Sequence, residues 1–355
     1  MKTALIGLLQ SGKSTIFSAL SGRDAPPPGS GTVEALVKVP DQRLDWLDEH
    51  YKPKKTTPST ISCIDMPGMD FGDEHGRNAA RHLLAQVRAV DVPVLVVRMF
   101  EDTSIQAHTG SVDPHRDIGI LRTELLLSDL QLVEKRIENL AKQVKRPTPT
   151  QAHDKAELEL HKKLRGAIED EQPISSAIEN ETELAMVKSL EFLTLKPLAV
   201  IVNVGEGRLE AGRQFCRSLR DVAAAVPVCA KLEQEIEQLE PAARAEFMAD
   251  VGLTESARTR FAAACHRAAG MIHFFTVASS DLRAWPIRSG TTALEAAGRI
   301  HTDMKRGFIR AETFAFEDLR ELGSEKALRA AGKIRLEGKD YVVQDGDVIN
   351  FRFNV

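Results

Sequence analysis

Apolar and polar positions along this chain follow two different periods. Short, unbroken apolar runs fall at residues 4–7, 61–65, 92–99 and 197–204, with a fifth at 226–230. Runs of that length, separated by helical or loop material, predict buried strands of a mostly parallel sheet. The alternating stretch 33–39 predicts an antiparallel strand at one edge of it. Between the third and fourth runs the period changes. Leu126, Leu130, Val133, Ile137, Leu140 and Val144 recur at alternating intervals of four and three, with Glu134, Lys135, Arg136 and Glu138 between them. That is heptad spacing. Pro147 and Pro149 stop this helix, and a second one over about 152–168, carrying Leu158, Leu160, Leu164 and Ile168, runs back beside it. The pair predicts a projecting antiparallel coiled coil, and a third helix near 181–193 returns the chain to the sheet.

From about residue 280 the pattern changes again. A strand over 282–287 leads through Ser289-Gly290 to a helix over 292–299. Tyr341-Val342-Val343, the turn Gln344-Asp345-Gly346-Asp347 and a run over 348–353 then predict a hairpin, because Asp-Gly between two alternating segments suits a tight turn. A small α+β module therefore closes the chain. At 355 residues with a net charge of −4, bulk composition does not announce nucleic acid or membrane. No apolar run approaches a membrane span, and Met1-Lys2-Thr3 leads directly into the first strand, so no signal peptide is expected. Cys63, Cys216, Cys229 and Cys265 are widely spaced and form no Cys-x-x-Cys pair, which suits a reduced, cytoplasmic protein.

Chemistry enters with Gly7-Leu8-Leu9-Gln10-Ser11-Gly12-Lys13-Ser14-Thr15, placed between a strand and a helix. This is the context of a phosphate-binding P-loop, in which successive backbone N–H groups and a helix N-terminus cradle the anion. Lys13 would reach the β- and γ-phosphates and the Ser14 hydroxyl would ligate Mg²⁺. Asp65-Met66-Pro67-Gly68 ends the second run, where an Asp holds Mg²⁺ through water and the Gly68 N–H meets the γ-phosphate. Base choice rests on Asn203-Val204-Gly205-Glu206. Guanine-specific P-loop proteins carry Asn-Lys-x-Asp there, the Asp accepting from the guanine N1–H and N2–H₂ edge. Glu206 is one methylene longer, and Val204 replaces the lysine whose stem would stack on the base. Guanine specificity is weakened, and an Asn amide suits the N6–H₂ and N7 pair of adenine without proving it.

With the Asn-x-x-Glu element, the heptad insertion and the C-terminal module, the chain resembles the YchF family, the Obg-like ATPases, essentially end to end. The resemblance also lies in Pro40-Asp41-Gln42-Arg43-Leu44-Asp45, Leu193-Thr194-Leu195-Lys196-Pro197 and Val226-Pro227-Val228-Cys229-Ala230. It is strongest in Arg283-Ala284-Trp285, Gly298-Arg299-Ile300-His301-Thr302-Asp303, Gly307-Phe308-Ile309-Arg310-Ala311 and Glu337-Gly338-Lys339-Asp340-Tyr341. It implies an α/β P-loop domain over 1–117 and 194–275, a helical coiled-coil insertion over 118–193, and a TGS module of ubiquitin-like (β-grasp) shape over 276–355. It further implies ATP as ligand, Mg²⁺, and association with the ribosome. Asn203 would read the base, Glu206 would border it, and Cys229 and Ala230 would close the pocket through backbone groups. The groove between coiled coil and TGS module would contact rRNA or ribosomal protein. Lys142, Lys145 and Arg146, Lys162, Lys163 and Arg165, and Lys305, Arg306 and Arg310 are the cations placed for that. A solvated charged face is the plainer reading of these residues, and Trp285 reads as core.

Several positions depart from the family pattern. Leu9-Gln10-Ser11 stand where Pro-Asn-Val is usual, Pro67 replaces an alanine, and Met69 keeps an apolar residue where Ras-like enzymes place a water-orienting Gln. The second switch loop, 70–78, is short and has lost most of its glycines; His75 within it reads as solvated. In the first switch, 25–33, Pro26-Pro27-Pro28-Gly29-Ser30-Gly31 precede Thr32, the nearest candidate for a Mg²⁺-binding threonine. Both changes point to altered hydrolysis. The expectation is a Mg²⁺-dependent ATPase in which Lys13 and Gly68 stabilise the transferring phosphoryl group and no side chain serves as general base. A GTPase of the same fold, a nucleotide-sensing adaptor with little hydrolysis, and an RNA binder without nucleotide are the rivals.

Overall fold

The computed structural model describes residues 1–25, 27, 30–278 and 280–354, so Pro26, Pro28 and Gly29 of the first switch lie outside the described residues. Its contacts define two units: Lys2–Ala35 with Ser62–Arg260, and Met1 with Leu36–Ile61 and Phe261–Val355.

In the first unit, the apolar runs become β1 (Lys2–Ile6), β2 (Val33–Lys38), β4 (Thr60–Asp65), β5 (Val92–Met99), β6 (Ala199–Val204) and β7 (Ala224–Val228), while β3 (Thr56–Thr57) joins the other sheet. The order is β2-β4-β1-β5-β6-β7, with β1, β4, β5, β6 and β7 parallel and β2 at the edge beside β4. Strands buried on both faces cannot alternate, which is why they read as unbroken apolar runs. One face packs Ala4, Ile6, Leu95, Val97, Val200 and Val202 against Ala80, Leu84 and Val87 of the helix Glu74–Val87 and Ile118, Leu121 and Leu125 of the helix Pro114–Gln143. Registry places Leu5 beside Asp65 and Arg98 beside Asn203, so the residues that follow β1, β4, β5 and β6 emerge at one end of the sheet.

The heptad region forms as expected. Asp113 caps the helix Pro114–Gln143 by accepting from Arg116 N, and Gln151–Glu169 returns antiparallel to it. Arg136 meets Glu157 at 2.7 Å and Gln151 Nε2 donates to Val144 O at 2.9 Å, so sequence rises along one helix as it falls along the other. Val133, Leu160, Leu164 and Ile168 form its core with Ile174, Val187 and Phe192. The third helix is shorter than the pattern implied: Glu181–Val187 tightens into a 3₁₀ turn, Lys188–Leu190, and stops at the left-handed Glu191. Asp129 ties the insertion to the sheet. Its carboxylate accepts from Leu193 N at 3.0 Å, Thr194 N at 2.9 Å and Arg88 Nη1 at 2.6 Å, and it is fully buried. Asp129→Ala strands two amides and takes the carboxylate from the half-buried Arg88 guanidinium, which keeps its bonds to Ser128 and Glu191. It should cost about 3–5 kcal/mol in denaturant unfolding; a loss below 1 kcal/mol would show that Asp129 is not the tie.

The second unit is a sheet in the order β11-β10-β12-β8-β9-β3, built from β8 (Met271–Val277), β9 (Leu282–Arg288), β10 (Phe308–Ala315), β11 (Arg335–Glu337) and β12 (Asp347–Phe353). β8 and β9 form an antiparallel hairpin, and β12 lies parallel to β8 and antiparallel to β10. With the helix Ala293–Ile300 packed on Phe274, Ile287, Ala311 and Ile349, this is the β-grasp arrangement. Thr292 and Glu295 close that helix with a reciprocal capping box. The opposite face is covered by Leu44 and Leu47 of the helix Gln42–Tyr51, which meet Phe275, Leu282, Phe314 and Val348. The stretch between β2 and β4, residues 39–59, thus leaves the first sheet and builds part of the second unit. Trp285 is half-buried and packs against the edge of this core; its indole N–H donates to Thr276 Oγ1 at 2.9 Å and Arg283 lies over its ring.

One expectation fails in this unit. Residues 341–343 do not pair with β12; Val342 makes only a bridge to Thr292, because both flanks of β12 are already taken by β10 and β8. The Asp-Gly turn is used differently. Asp345 accepts from His273 N and from Arg43 Nη1, both at 2.8 Å, and Gly346, at φ 88°, donates to His273 O at 2.8 Å. The turn clamps β8 to its neighbour instead of reversing a hairpin.

Candidate nucleotide site

The P-loop follows β1 without interruption. A side-chain carbon at Gly7 would run into Val96 O of the adjacent strand, so only glycine lets the loop leave there. Gln10 and Gly12 take left-handed conformations, φ 61° and 86°, and Gly12 starts the helix Lys13–Ser21, of which Thr15 is the third residue. Leu8 is buried and pairs with Met69; Leu9 N donates to Met69 O at 3.2 Å and Met69 N to Gly7 O at 3.0 Å. These bonds fasten the P-loop to the segment after Asp65. Leu9, which stands where the family has proline, lies across Gly68, so a side-chain carbon there would sit 2.5 Å from Leu9 Cδ2.

Lys13 is buried, and its Nζ donates to Leu8 O at 2.9 Å, Gly7 O at 3.1 Å and Ser11 Oγ at 3.4 Å. The ammonium is therefore held inside the loop's own curve. Burial lowers its pKa to about 8, with the Asp65 charge opposing the shift. Ser14 Oγ donates to Asp65 Oδ2 at 2.7 Å. Burial raises the Asp65 pKa, against the Ser14 hydrogen bond and the Lys13 charge. Asp65 Oδ1 is buried without a hydrogen-bond partner among the described residues. A buried orphan carboxylate oxygen next to a serine hydroxyl is an all-oxygen donor set, and it fits a hard divalent cation.

Around Asn203 the structure sorts the remaining residues into distinct places. Asn203 is buried; its Nδ2 donates to Ser11 O at 3.1 Å and its Oδ1 accepts from Ala230 N at 3.2 Å. It braces the P-loop against the start of the helix Ala230–Gln238, which Cys229 precedes as the buried N-cap residue. The Val204 side chain is turned into the sheet core, so any contact it makes with a nucleotide is through its backbone. Glu206 is exposed and pairs with Lys231 at 3.1 Å.

Phe100 and Arg98 went unnoticed in the sequence. Phe100 lies one residue beyond the end of β5, with Cβ 3.7 Å from a side-chain carbon built at Gly205 and its ring edge 3.8 Å from one built at Gly12. Their signal was position: an aromatic where a buried parallel strand ends beside a P-loop strand is at the sheet's binding edge.

The switches also differ from expectation. The second ends early, because Asp73 caps the helix Glu74–Val87 by accepting from Gly76 N, which leaves His75 exposed on helix and not in a loop. Instead His108 Nε2 reaches Asp70 Oδ1 at 3.3 Å. Met69 is buried, so no polar side chain projects from that position. Thr32 Oγ1 donates to Gln86 Oε1 at 3.4 Å.

Comparison with known proteins agrees with this architecture. Residues 2–124 match the family model described as 50S ribosome-binding GTPase, and 271–354 match the C-terminal model of YchF GTPases, itself described as a protein of unknown function. The chain is 38% identical to the ribosome-binding ATPase YchF of Bacillus subtilis (strain 168), covering 100% of both chains. It is 39% identical to the protein of that name from Haemophilus influenzae, covering 100% of this chain and 99% of that one. The Obg-like ATPase 1 of Oryza sativa subsp. japonica is 36% identical, over 100% of this chain and 92% of its own. Among solved structures, the YchF GTPase of Schizosaccharomyces pombe superposes with a TM-score of 0.83 at 30% identity, covering 99% of this chain and 97% of that one. With β-grasp module, helical insertion and P-loop sheet all matched end to end, this chain belongs to the YchF family.

Proposed function

We propose that this protein binds and hydrolyses ATP with Mg²⁺ and uses the cycle as a ribosome-linked switch in the cytoplasm. The observation that carries the reading is the cluster at the end of β1 and β4: Lys13 Nζ inside the P-loop, Ser14 Oγ 2.7 Å from Asp65 Oδ2, and the orphan Asp65 Oδ1. In this reading Lys13 exchanges its three loop acceptors for phosphate oxygens, a trade that keeps it fully bonded. Ser14 and Asp65 hold Mg²⁺, which when bound neutralises phosphate charge. The Gly68 N–H, carried on the segment fastened to Gly7 and Leu9, senses the γ-phosphate. No imidazole or carboxylate is assigned as general base, so rate enhancement rests on positioning and electrostatics.

ATP is favoured over GTP by the base side. The acidic residue that would accept from guanine, Glu206, is exposed and engaged by Lys231, while in this reading the Asn203 amide, braced between Ser11 and Ala230, reads the base. We further infer that residues 1–117 with 194–275, 118–193 and 276–355 serve as nucleotide, helical and TGS parts. The ribosomal partner, rRNA or protein, is engaged through the last two. The relatives' names, ribosome-binding ATPase, support the ribosomal link. No helix among the described residues is long and apolar enough to cross a membrane.

Calorimetric titration with Mg²⁺ and non-hydrolysable ATP, with the GTP analogue in parallel, tests it. ATP should bind at least tenfold more tightly. Tighter binding of the GTP analogue would replace the ATPase reading, and binding of neither would remove it. A second reading, an adaptor that binds ATP with little turnover, is favoured by the buried Met69; single-turnover hydrolysis no faster than the uncatalysed hydrolysis of ATP would establish it.

A further inference from the structure

Arg98 sits on β5, register-paired with Asn203 of β6, and is 4% exposed. A guanidinium buried that deeply ordinarily meets a carboxylate, since taking an unpaired charge out of water costs several kcal/mol. Here its hydrogen bonds go to backbone carbonyls of a single loop. Nε donates to Phe100 O at 3.0 Å, Nη2 to Ile105 O at 3.0 Å and to Asp102 O at 3.5 Å, and Nη1 has no partner among the described residues. The Asp102 carboxylate that feels the charge is itself fully exposed. The guanidinium carbon stands 4.4 Å from the centroid of the Phe100 ring, within cation–π range. Folding of β5 does not call for this residue, because Val94 and Val96 occupy the same face of the strand as fully buried hydrophobes. What Arg98 does hold is the loop 100–105, and with it the ring of Phe100 beside Gly12 and Gly205.

We propose that Arg98 is a positioning residue for the nucleoside part of the ligand. By gripping three carbonyls and the Phe100 ring it fixes the wall of the site between the P-loop and the Asn203–Glu206 segment. The phosphates are served separately, by Lys13, Ser14 and Asp65. Arg98 therefore sets base discrimination and not phosphate affinity. The inference rests on the ATP reading above.

The test is calorimetry with Mg²⁺ and the non-hydrolysable ATP and GTP analogues on the wild-type chain, Arg98→Lys, Phe100→Leu and the double variant. Melting temperature reports whether each is folded. Lysine keeps the charge but cannot fork to three carbonyls or cover the ring. Arg98→Lys should weaken ATP binding tenfold or more and shrink the ATP-over-GTP preference. The double variant should bind no more weakly than the weaker single, because both changes release the same wall. General loosening of the fold would lower both nucleotides equally and leave their ratio intact, and that result overturns the proposal. So does wild-type affinity in Arg98→Lys, or losses that multiply in the double variant. Should Arg98→Lys fail to fold, Phe100→Leu decides alone: an unchanged ATP-over-GTP ratio in it overturns the proposal. Wild-type protein that binds neither nucleotide would overturn the ATP reading, and this inference with it.

Discussion

Affinity for Mg²⁺-ATP should fall as the pH rises above about 8, by up to tenfold per unit, and Lys13→Ala should remove both the affinity and that dependence. The cause is the burial of Lys13, which brings its pKa down to about 8 in the free protein. Phosphate oxygens around the ammonium raise it again, so nucleotide binding requires a proton that the free protein has already lost at higher pH. Near pH 8 binding should therefore take up a fraction of a proton, visible as a binding heat that changes with the ionisation enthalpy of the buffer. For folding, the sign is the reverse of an ordinary paired lysine. The unfolded chain holds its proton up to about 10.5 and the folded one only to about 8, so the fold carries the full penalty below 8. That penalty lifts as pH rises from 8 to 10.5, by about 3 kcal/mol at most. Titrations at pH 7, 8 and 9 check the first part. Affinity that stays flat across them, or that survives in Lys13→Ala, would show that Lys13 does not carry the phosphate.

Gly12→Ala should disable the nucleotide site and destabilise the fold together. Gly12 lies at φ 86°, where a side chain costs about 1–2 kcal/mol, and the added carbon would overlap the Asn203 amide nitrogen. Asn203 cannot move away freely, because it holds Ser11 O on one side and Ala230 N on the other. Nucleotide affinity should fall at least 100-fold, and unfolding free energy by about 2–4 kcal/mol. Gly252→Ala supplies the comparison: φ is 69° but nothing lies within 4 Å of the new carbon. It should cost about 1–2 kcal/mol and leave affinity unchanged. Equal effects from the two would mean that backbone strain alone, and not the brace through Asn203, governs the site.

What could be read in the sequence was whatever obeys a local rule. The parallel strands announced themselves because both faces are buried, and the coiled coil because Val133, Leu140, Leu160 and Leu164 repeat at core spacing. The P-loop was legible because backbone cradling demands glycine at fixed offsets. Readings failed where a partner far along the chain decides. Asp345-Gly346 has the chemistry of a hairpin turn, but Arg43 and His273 claim it. Arg98 went unnoticed for a different reason: the three carbonyls that bend back to it, at Phe100, Asp102 and Ile105, are close in sequence but belong to an irregular loop that follows no periodic rule.

The excursion between β2 and β4 delays the burial of its own apolar face during synthesis. Leu44 and Leu47 are made early, but the strands that bury them, β8, β9, β10 and β12, follow more than two hundred residues later. At about 5–20 residues per second that interval is on the order of ten to forty seconds. Through it the nascent chain carries an apolar helix face with nothing to rest on. A chain cut short before residue 271 would keep that face uncovered.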